Sequence, residues 1–200
     1  MDIALGILLG IGLAASCGFR VFVPMLVTNV VSMMGFLKLS PGFEWMGGWI
    51  AFAAFLTASI AEIAAYYIPW LDNALDTISG PLAMVGGTIL TASFLTDVSP
   101  LIQWTLGIIV GGGTAGIVKV GASAARLTST TTTGGIGNPL IATVENASSL
   151  AMSILSFIVP VVTAFAVVLI VIYVIRKFSS FRKMKMFTGK KDRYQNVDQG

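Results

Sequence analysis

The 200-residue sequence lacks histidine and contains a single cysteine, Cys17. One cysteine excludes an intramolecular disulfide, and the lack of histidine removes the commonest general base and metal ligand. The sequence also has no metal-ligand spacing and no nucleophile-elbow motif. It therefore predicts a protein that is not an enzyme and that has no metal and no cofactor.

Charged residues are equally scarce, at 10 % of the chain, whereas soluble domains contain about 25 %. Apolar residues make up 56 % and the mean hydropathy is +0.89. Several apolar stretches reach the roughly 20 residues that a helix needs to cross the hydrocarbon. We therefore predict an all-α polytopic membrane protein with four to six membrane segments, in which residues 1–175 form the transmembrane domain.

The positive charge is concentrated at the C-terminus. Residues 176–200 contain eight Lys or Arg and two Asp, whereas residues 1–175 contain four basic and seven acidic residues. The positive-inside rule places such a tail in the cytoplasm, and attraction to anionic lipid is a further expected role. No aromatic-interleaved basic motif accompanies the tail, so nucleic acid is not an expected partner.

Glycine and proline interrupt the apolar stretches. In the first one, Ile3 to Leu37, Gly18, Arg20 and Pro24 favour two half-helices joined by a short unwound segment, and a single kinked helix is the alternative. One or two broken or re-entrant helices are expected in all. Further breaks are expected at Pro69, Pro81 and Pro139. The last span is expected to run from Leu150 to Ile175 with a kink at Pro160.

The two halves of the sequence have a weakly similar spacing between a glycine and a basic residue. Gly12 precedes Arg20 by eight residues, and Gly111 precedes Lys119 by eight residues. Broken helices at matching places would indicate an inverted repeat with a site near the bilayer midplane.

Charges within the membrane domain are the candidate site, because a charged side chain at the bilayer centre costs at least about 2.5–3.5 kcal/mol. Glu62 lies beside a stripe of alanines, which predicts that it faces another helix. It is either a titrating carboxyl or a permanent partner of Arg20 or Lys119. The full candidate set is Arg20, Glu62, Asp72, Asp76, Lys119, Arg126 and Glu145.

Spacing groups several of these charges. Asp72 and Asp76 are four residues apart, so a helix places both on one face. There they bind a cation, hold a shared proton, or simply lie at a helix N-terminus near the interface. Lys119 and Arg126 share a face and suit either a phosphate or carboxylate ligand or the neutralisation of Glu62, Asp76 and Glu145. The stretch 128–133 is expected to be a polar vestibule or a flexible loop.

The order of these motifs resembles a bacterial membrane family known as domain of unknown function 4126. The similarity covers roughly residues 5–175 and rests on four elements: Gly18 to Pro24, Glu62 with Ile68 to Asp72 and Asp76, Pro81, and Lys119 with Arg126, Asn138-Pro139 and Glu145. The resemblance implies a multi-pass protein of the bacterial inner membrane. It implies no activity.

Two functional hypotheses follow. The first is a small transporter or channel for an ion, an anionic solute or a lipid phosphate, with the candidate charges lining the pathway. The second is a non-transporting scaffold or assembly subunit whose charges form internal salt bridges. Small-residue helix faces predict a homodimer or another homo-oligomer in either case.

Overall fold

A computed structural model describes residues 2–177, except for the side chains of residues 69, 70, 72–74 and 76. All regular secondary structure in the described residues is helical. Its helices are α1 (Ile3–Phe19), α2 (Phe22–Met33), α3 (Trp49–Ala65), α4 (Pro69–Phe94), α5 (Pro100–Leu106), α6 (Gly113–Thr133), α7 (Asn138–Ile158) and α8 (Pro160–Lys177). A short 3-10 turn, Glu44–Gly47, precedes α3, and a π-helical segment, Gly107–Gly112, joins α5 to α6.

The prediction of an all-α polytopic membrane protein is confirmed. Within the described residues, four helical segments are long and apolar enough to cross a bilayer: Thr77–Phe94, Pro100–Thr133, Asn138–Ile158 and Pro160–Lys177. Three shorter apolar helices, α1, α2 and α3, complete the bundle.

Helix α1 lies at the centre of the bundle because its glycines allow other helices to approach on several faces. A Cβ atom at Gly10 would lie 2.7 Å from Cγ2 of Thr91 in α4, and one at Gly18 would lie 2.6 Å from Cβ of Val118 in α6. Gly12 contacts Ser156 of α7 and Thr163 of α8 in the same way. Small residues at such positions let helix backbones pack closely in a membrane.

The first two helices form a re-entrant hairpin. Gly6 of α1 packs against the backbone of Phe94 at the end of α4, and the N–H of Ser40, after α2, donates to the carbonyl oxygen of Ser93 at 2.8 Å. The chain therefore enters and leaves at the same end of the bundle, here called the Phe94 end. The 12 residues of α2 reach about 18 Å, which is too short to cross a 30 Å hydrocarbon core.

The break in this hairpin is at Arg20, which has extended backbone dihedrals (φ −141°, ψ 128°). The predicted half-helices are thus confirmed, although neither Gly18 nor Pro24 is the break itself. Gly18 lies inside α1, and Pro24 lies in the first turn of α2, where a missing N–H is tolerated.

The later prolines behave in two ways. Pro69 and Pro139 lie at the starts of α4 and α7, as expected of breaks. Pro81 lies inside the continuous helix α4, so the prediction that it interrupts the chain is wrong. Helix α4 begins at Pro69 and continues through Pro81 to Phe94.

The prediction of one last span from Leu150 to Ile175 is also wrong. Val159 leaves the helical region (φ −137°, ψ 66°) and the chain reverses there. Thr163 returns to the level of Gly12, and Ile170 and Val174 line a cavity together with Leu140 and Val144. Pro160 begins a new helix instead of kinking an old one, so α7 and α8 form an antiparallel hairpin with both open ends at what is here called the Asn138 end.

Helix α6 includes the stretch 128–133. It continues through Lys119 to Thr133, so the lysine does not end a segment and residues 128–133 are not a loop. The hydroxyls of Thr128, Thr132 and Thr133 donate to carbonyl oxygens four residues earlier at 2.8 Å, which satisfies them within the helix. Arg20 lies at a break and Lys119 lies within a helix, so the two positions of the predicted repeat differ in backbone conformation.

Replacing Gly18 with Ala is expected to destabilise the protein by about 1–3 kcal/mol, because the added methyl group overlaps Val118. The matched control is Gly113→Ala, where a Cβ atom meets nothing within 4 Å and helix propensity favours alanine by about 0.5–1 kcal/mol. Thermal unfolding in detergent measures both. Equal unfolding temperatures for the two variants would contradict the close packing of α1 on α6.

Candidate functional site

Arg20 lies at the tip of the re-entrant hairpin and is fully buried. Its Nε donates to Oδ1 of Asn146 at 2.5 Å, and its Nη1 lies 3.2 Å from Oε2 of Glu145. Two weaker bonds reach the carbonyl oxygens of Phe19 and Ala142, at 3.3 and 3.4 Å. The guanidinium thus fastens the hairpin tip to α7.

Glu145 is shared between two arginines. Arg126 of α6 grips the carboxylate with two donors, Nε to Oε1 at 3.0 Å and Nη2 to Oε2, while Arg20 contacts Oε2 from the other side. Arg126 is 2 % exposed and Glu145 4 %. Removing one partner from a buried ion pair leaves an uncompensated charge, so this triad couples α6, α7 and the hairpin tip.

Three basic side chains lie close to the ring of Tyr66, the residue that follows α3. The guanidinium carbon of Arg20 lies 3.7 Å from the ring centroid, that of Arg126 lies 4.3 Å away, and Nζ of Lys119 lies 5.8 Å away. All three distances are within the range of cation–π attraction. The predicted common face of Lys119 and Arg126 is confirmed, because both side chains reach the same ring.

Glu62 of α3 caps the N-terminus of α2. Its Oε1 accepts from the N–H of Val21 at 2.9 Å, and its Oε2 accepts from the N–H of Phe22 at 3.1 Å. The first N–H groups of a helix lack helical partners, and a carboxylate there also interacts favourably with the helix dipole. The prediction that Glu62 faces another helix is confirmed, whereas its partner is backbone and not a basic side chain.

The charged cluster lies inside the bundle and away from the Asn138 end, since Arg126 is seven residues and Lys119 fourteen residues before the end of α6 at Thr133. Gly121, two residues after Lys119, packs against Val174, two residues before Arg176. At 1.5 Å per residue, and with α6 and α8 running in the same direction, Lys119 lies about 6 Å along the bundle from Arg176. The location of the site near the bilayer midplane stays a prediction.

Three open cavities border this cluster. One of about 490 Å³ lies between α4 and α6 and contains Lys119 in its wall. Another of about 380 Å³ contains Glu62 and Tyr66, and a third of about 460 Å³ contains Glu145. Among the described side chains, the walls are apolar apart from these charges, Tyr66 and a few hydroxyl groups.

Five of the seven predicted site residues belong to this one cluster: Arg20, Glu62, Lys119, Arg126 and Glu145. The backbones of Asp72 and Asp76 lie in the first two turns of α4, but their side chains are outside the described part. Among the described side chains, no group of three metal-ligating residues is found. The sequence analysis missed Tyr66 and Asn146; the position of Asn146 next to Glu145 is the one signal that pointed to it.

Comparison with known proteins identifies the family. The model of the family described as domain of unknown function 4126 matches residues 7–179, and the chain belongs to that family. No curated protein and no solved structure matches the chain.

Glu145→Gln is expected to destabilise the protein by about 3–5 kcal/mol, because it leaves two buried guanidinium groups facing each other. Adding Arg126→Gln should recover part of the loss, which a double-mutant cycle on thermal unfolding measures. Glu44→Gln is the control, since Glu44 is exposed at the start of the 3-10 turn. Strict additivity of the two buried substitutions would contradict the shared triad.

Glu62→Gln is expected to weaken the cap of α2, because an amide offers one acceptor oxygen in place of two. The expected cost is about 1–3 kcal/mol, that of leaving a buried N–H unpaired. Hydrogen exchange at Val21 and Phe22 should quicken while exchange within α7 stays unchanged. Unaltered exchange at both amides would show that Glu62 does not hold the hairpin tip.

Proposed function

We propose that this protein moves an anionic solute or a lipid phosphate across the membrane, and that Arg20, Arg126 and Lys119 bind the anion. The observation that carries the proposal is the pair of arginines that grips the carboxylate of Glu145 at the tip of a re-entrant hairpin. Two guanidinium groups around one carboxylate make a cradle that also suits phosphate oxygens.

In this proposal the structure represents a closed state in which Glu145 occupies the anion's place. An arriving anion replaces Glu145 on the arginines, and the tip of the hairpin moves because it is fastened through Arg20. Irregular backbone at membrane depth is tolerated where it is buried in protein or lines a cavity. The extended backbone of Arg20 beside the Glu62 cavity fits that condition.

The proposed orientation puts the Asn138 end in the cytoplasm of a bacterial inner membrane. Helix α8 ends there with Arg176 and Lys177, and the basic segment 176–200 continues from it. Lys and Arg close to a span are retained on the cytoplasmic side.

A scaffold or assembly subunit is the second candidate, and one observation favours it. Every oxygen of Glu62 and Glu145 already has a donor within the chain, as a permanent structural network requires. In that case the tail 176–200 would be the docking element for a partner.

Flux in proteoliposomes tests transport. Vesicles loaded with labelled inorganic phosphate, and vesicles with fluorescent phosphatidic acid in one leaflet, are compared for the wild type, Arg20→Lys and Lys38→Gln. Arg20→Lys keeps the charge but loses the planar fork, so flux should fall at least about tenfold, whereas the exposed Lys38 should be dispensable.

The same vesicles separate the two candidates. Deletion of residues 176–200 should leave flux intact in a transporter, whereas a scaffold would show no flux in any form and would lose its partner on deletion. Wild-type flux by Arg20→Lys would overturn the role of the arginine cradle.

A further inference from the structure

Glu62 caps the hairpin tip in a way that only its ionised form allows. Each of its two oxygens accepts one backbone N–H, that of Val21 at 2.9 Å and that of Phe22 at 3.1 Å. An ionised carboxylate is an acceptor at both oxygens, whereas the neutral acid carries an O–H donor at one of them. Proton uptake therefore leaves one of the two N–H groups without its acceptor, and it removes the charge that interacts with the dipole of α2.

The carboxyl group of Glu62 borders open space. The residue is half-buried and lines the cavity of about 380 Å³, whose wall also includes Val21 and Phe22. A hydroxyl group formed on Glu62 has room there to turn away from the two N–H groups. The cavity thus accommodates the neutral acid without a change in the packing of the helices.

The charges that act on Glu62 come from the hairpin tip and from α6. Arg20 and Lys119 attract its negative charge. The thiol of Cys17 in α1 and the phenol of Tyr66 are neutral neighbours. The described α4 side chains in the cavity wall carry no charge.

We propose that Glu62 is a proton-sensitive cap, which fixes the first turn of α2 when it is ionised and releases that turn when it is protonated. One proton from water adds to one carboxylate oxygen, and one hydrogen bond from a backbone N–H is lost. No other covalent bond changes. This inference rests on the proposed function and names how the same site is regulated, namely by pH.

Arg20 connects the cap to the arginine cradle. It directly precedes Val21, and its side chain bonds to Asn146 and Glu145 of α7. The extended backbone of Arg20 is thus held by Glu62 through Val21 and by α7 through the guanidinium group. Release of the first turn of α2 loosens the backbone that positions this guanidinium group, and the proposed transport requires such a movement of the tip.

Hydrogen exchange at Val21 and Phe22, measured by NMR on the full-length protein in nanodiscs, tests the cap. Protection is expressed relative to an unstructured amide at the same pH, so that the intrinsic pH dependence of exchange cancels. Between about pH 9 and about pH 4, the range in which exposed and buried glutamates titrate, protection at both amides should fall at least about tenfold. Protection that stays constant over this range would overturn the proposal.

The carboxyl carbon resonance of Glu62 follows its protonation directly in the same samples. Its titration should coincide with the loss of protection at the two amides. A resonance that does not titrate, or that titrates while protection stays unchanged, would contradict the cap even if no variant of Glu62 folded.

Variants assign the effect to one carboxyl group. Glu62→Gln, which offers one acceptor oxygen at every pH, should show the low protection of the acidic wild type and no pH dependence. The exposed Glu44 is the control, and Glu44→Gln should behave as the wild type does. A fall of equal size at α7 amides such as that of Ser153 would indicate general unfolding in acid and would count against the cap.

Asp72 and Asp76, in the first two turns of α4, are the other carboxyl groups to distinguish from Glu62. Their side chains are outside the described part. Asp72→Asn and Asp76→Asn should both keep the pH dependence of protection. Its loss in either variant would assign the proton to α4 and overturn the role of Glu62.

The exchange and flux measurements fail separately. A pH-dependent cap in a protein that shows no phosphate flux would leave the cap standing and remove the proposed function. Phosphate flux that depends on Arg20, together with constant protection at Val21 and Phe22, would do the reverse.

Discussion

The arrangement of the bundle depends on the interruption of the helix at Arg20. A hairpin tip inside a membrane bundle leaves the first N–H groups of its second helix without helical partners, and no water is present in hydrocarbon to replace them. Glu62 from α3 supplies both acceptors, and Arg20 bonds to α7 in turn. One extended residue therefore requires two charged side chains, one on each side, and these fix α3 and α7 around the hairpin.

The charges around the tip are stabilising only as a group. Glu145 has one negative charge for two arginines, and the electron-rich face of Tyr66 provides further attraction for all three cations. The glycines of α1 are a second condition, because the helices that carry these side chains must approach α1 closely to bring them together. The close packing of helices on α1 thus brings the charged side chains within reach of one another, and their ion pairs in turn hold these helices together.

Much of this architecture could be predicted from the sequence. Low charge and long apolar runs require a helical membrane protein, and the sequence around Arg20 favours two half-helices. The seven-residue spacing of Lys119 and Arg126 gives their common face. What the sequence does not contain is the partner of each group: Glu62 binds backbone N–H groups, which leave no trace in residue types.

Local signals were also ambiguous in two places. A proline such as Pro160 is compatible with a kink in one helix and with the first turn of a new one, and only the return of Thr163 to Gly12 distinguishes these. A run of threonines has low helix propensity, yet in α6 the hydroxyls bond to the preceding turn and the helix continues. Tertiary packing determined the result at Pro160, and hydrogen bonds within the helix determined it in α6.

The π-helical segment Gly107–Gly112 sets the rotational phase of everything that follows it in α6. An α-helix advances about 100° per residue, so each extra residue taken up in a wider turn rotates the rest of the helix by that angle. Lys119 and Arg126 point at Tyr66 only with the phase that this segment imposes. The glycine-rich segment thus determines which face of α6 turns its basic side chains toward the hairpin.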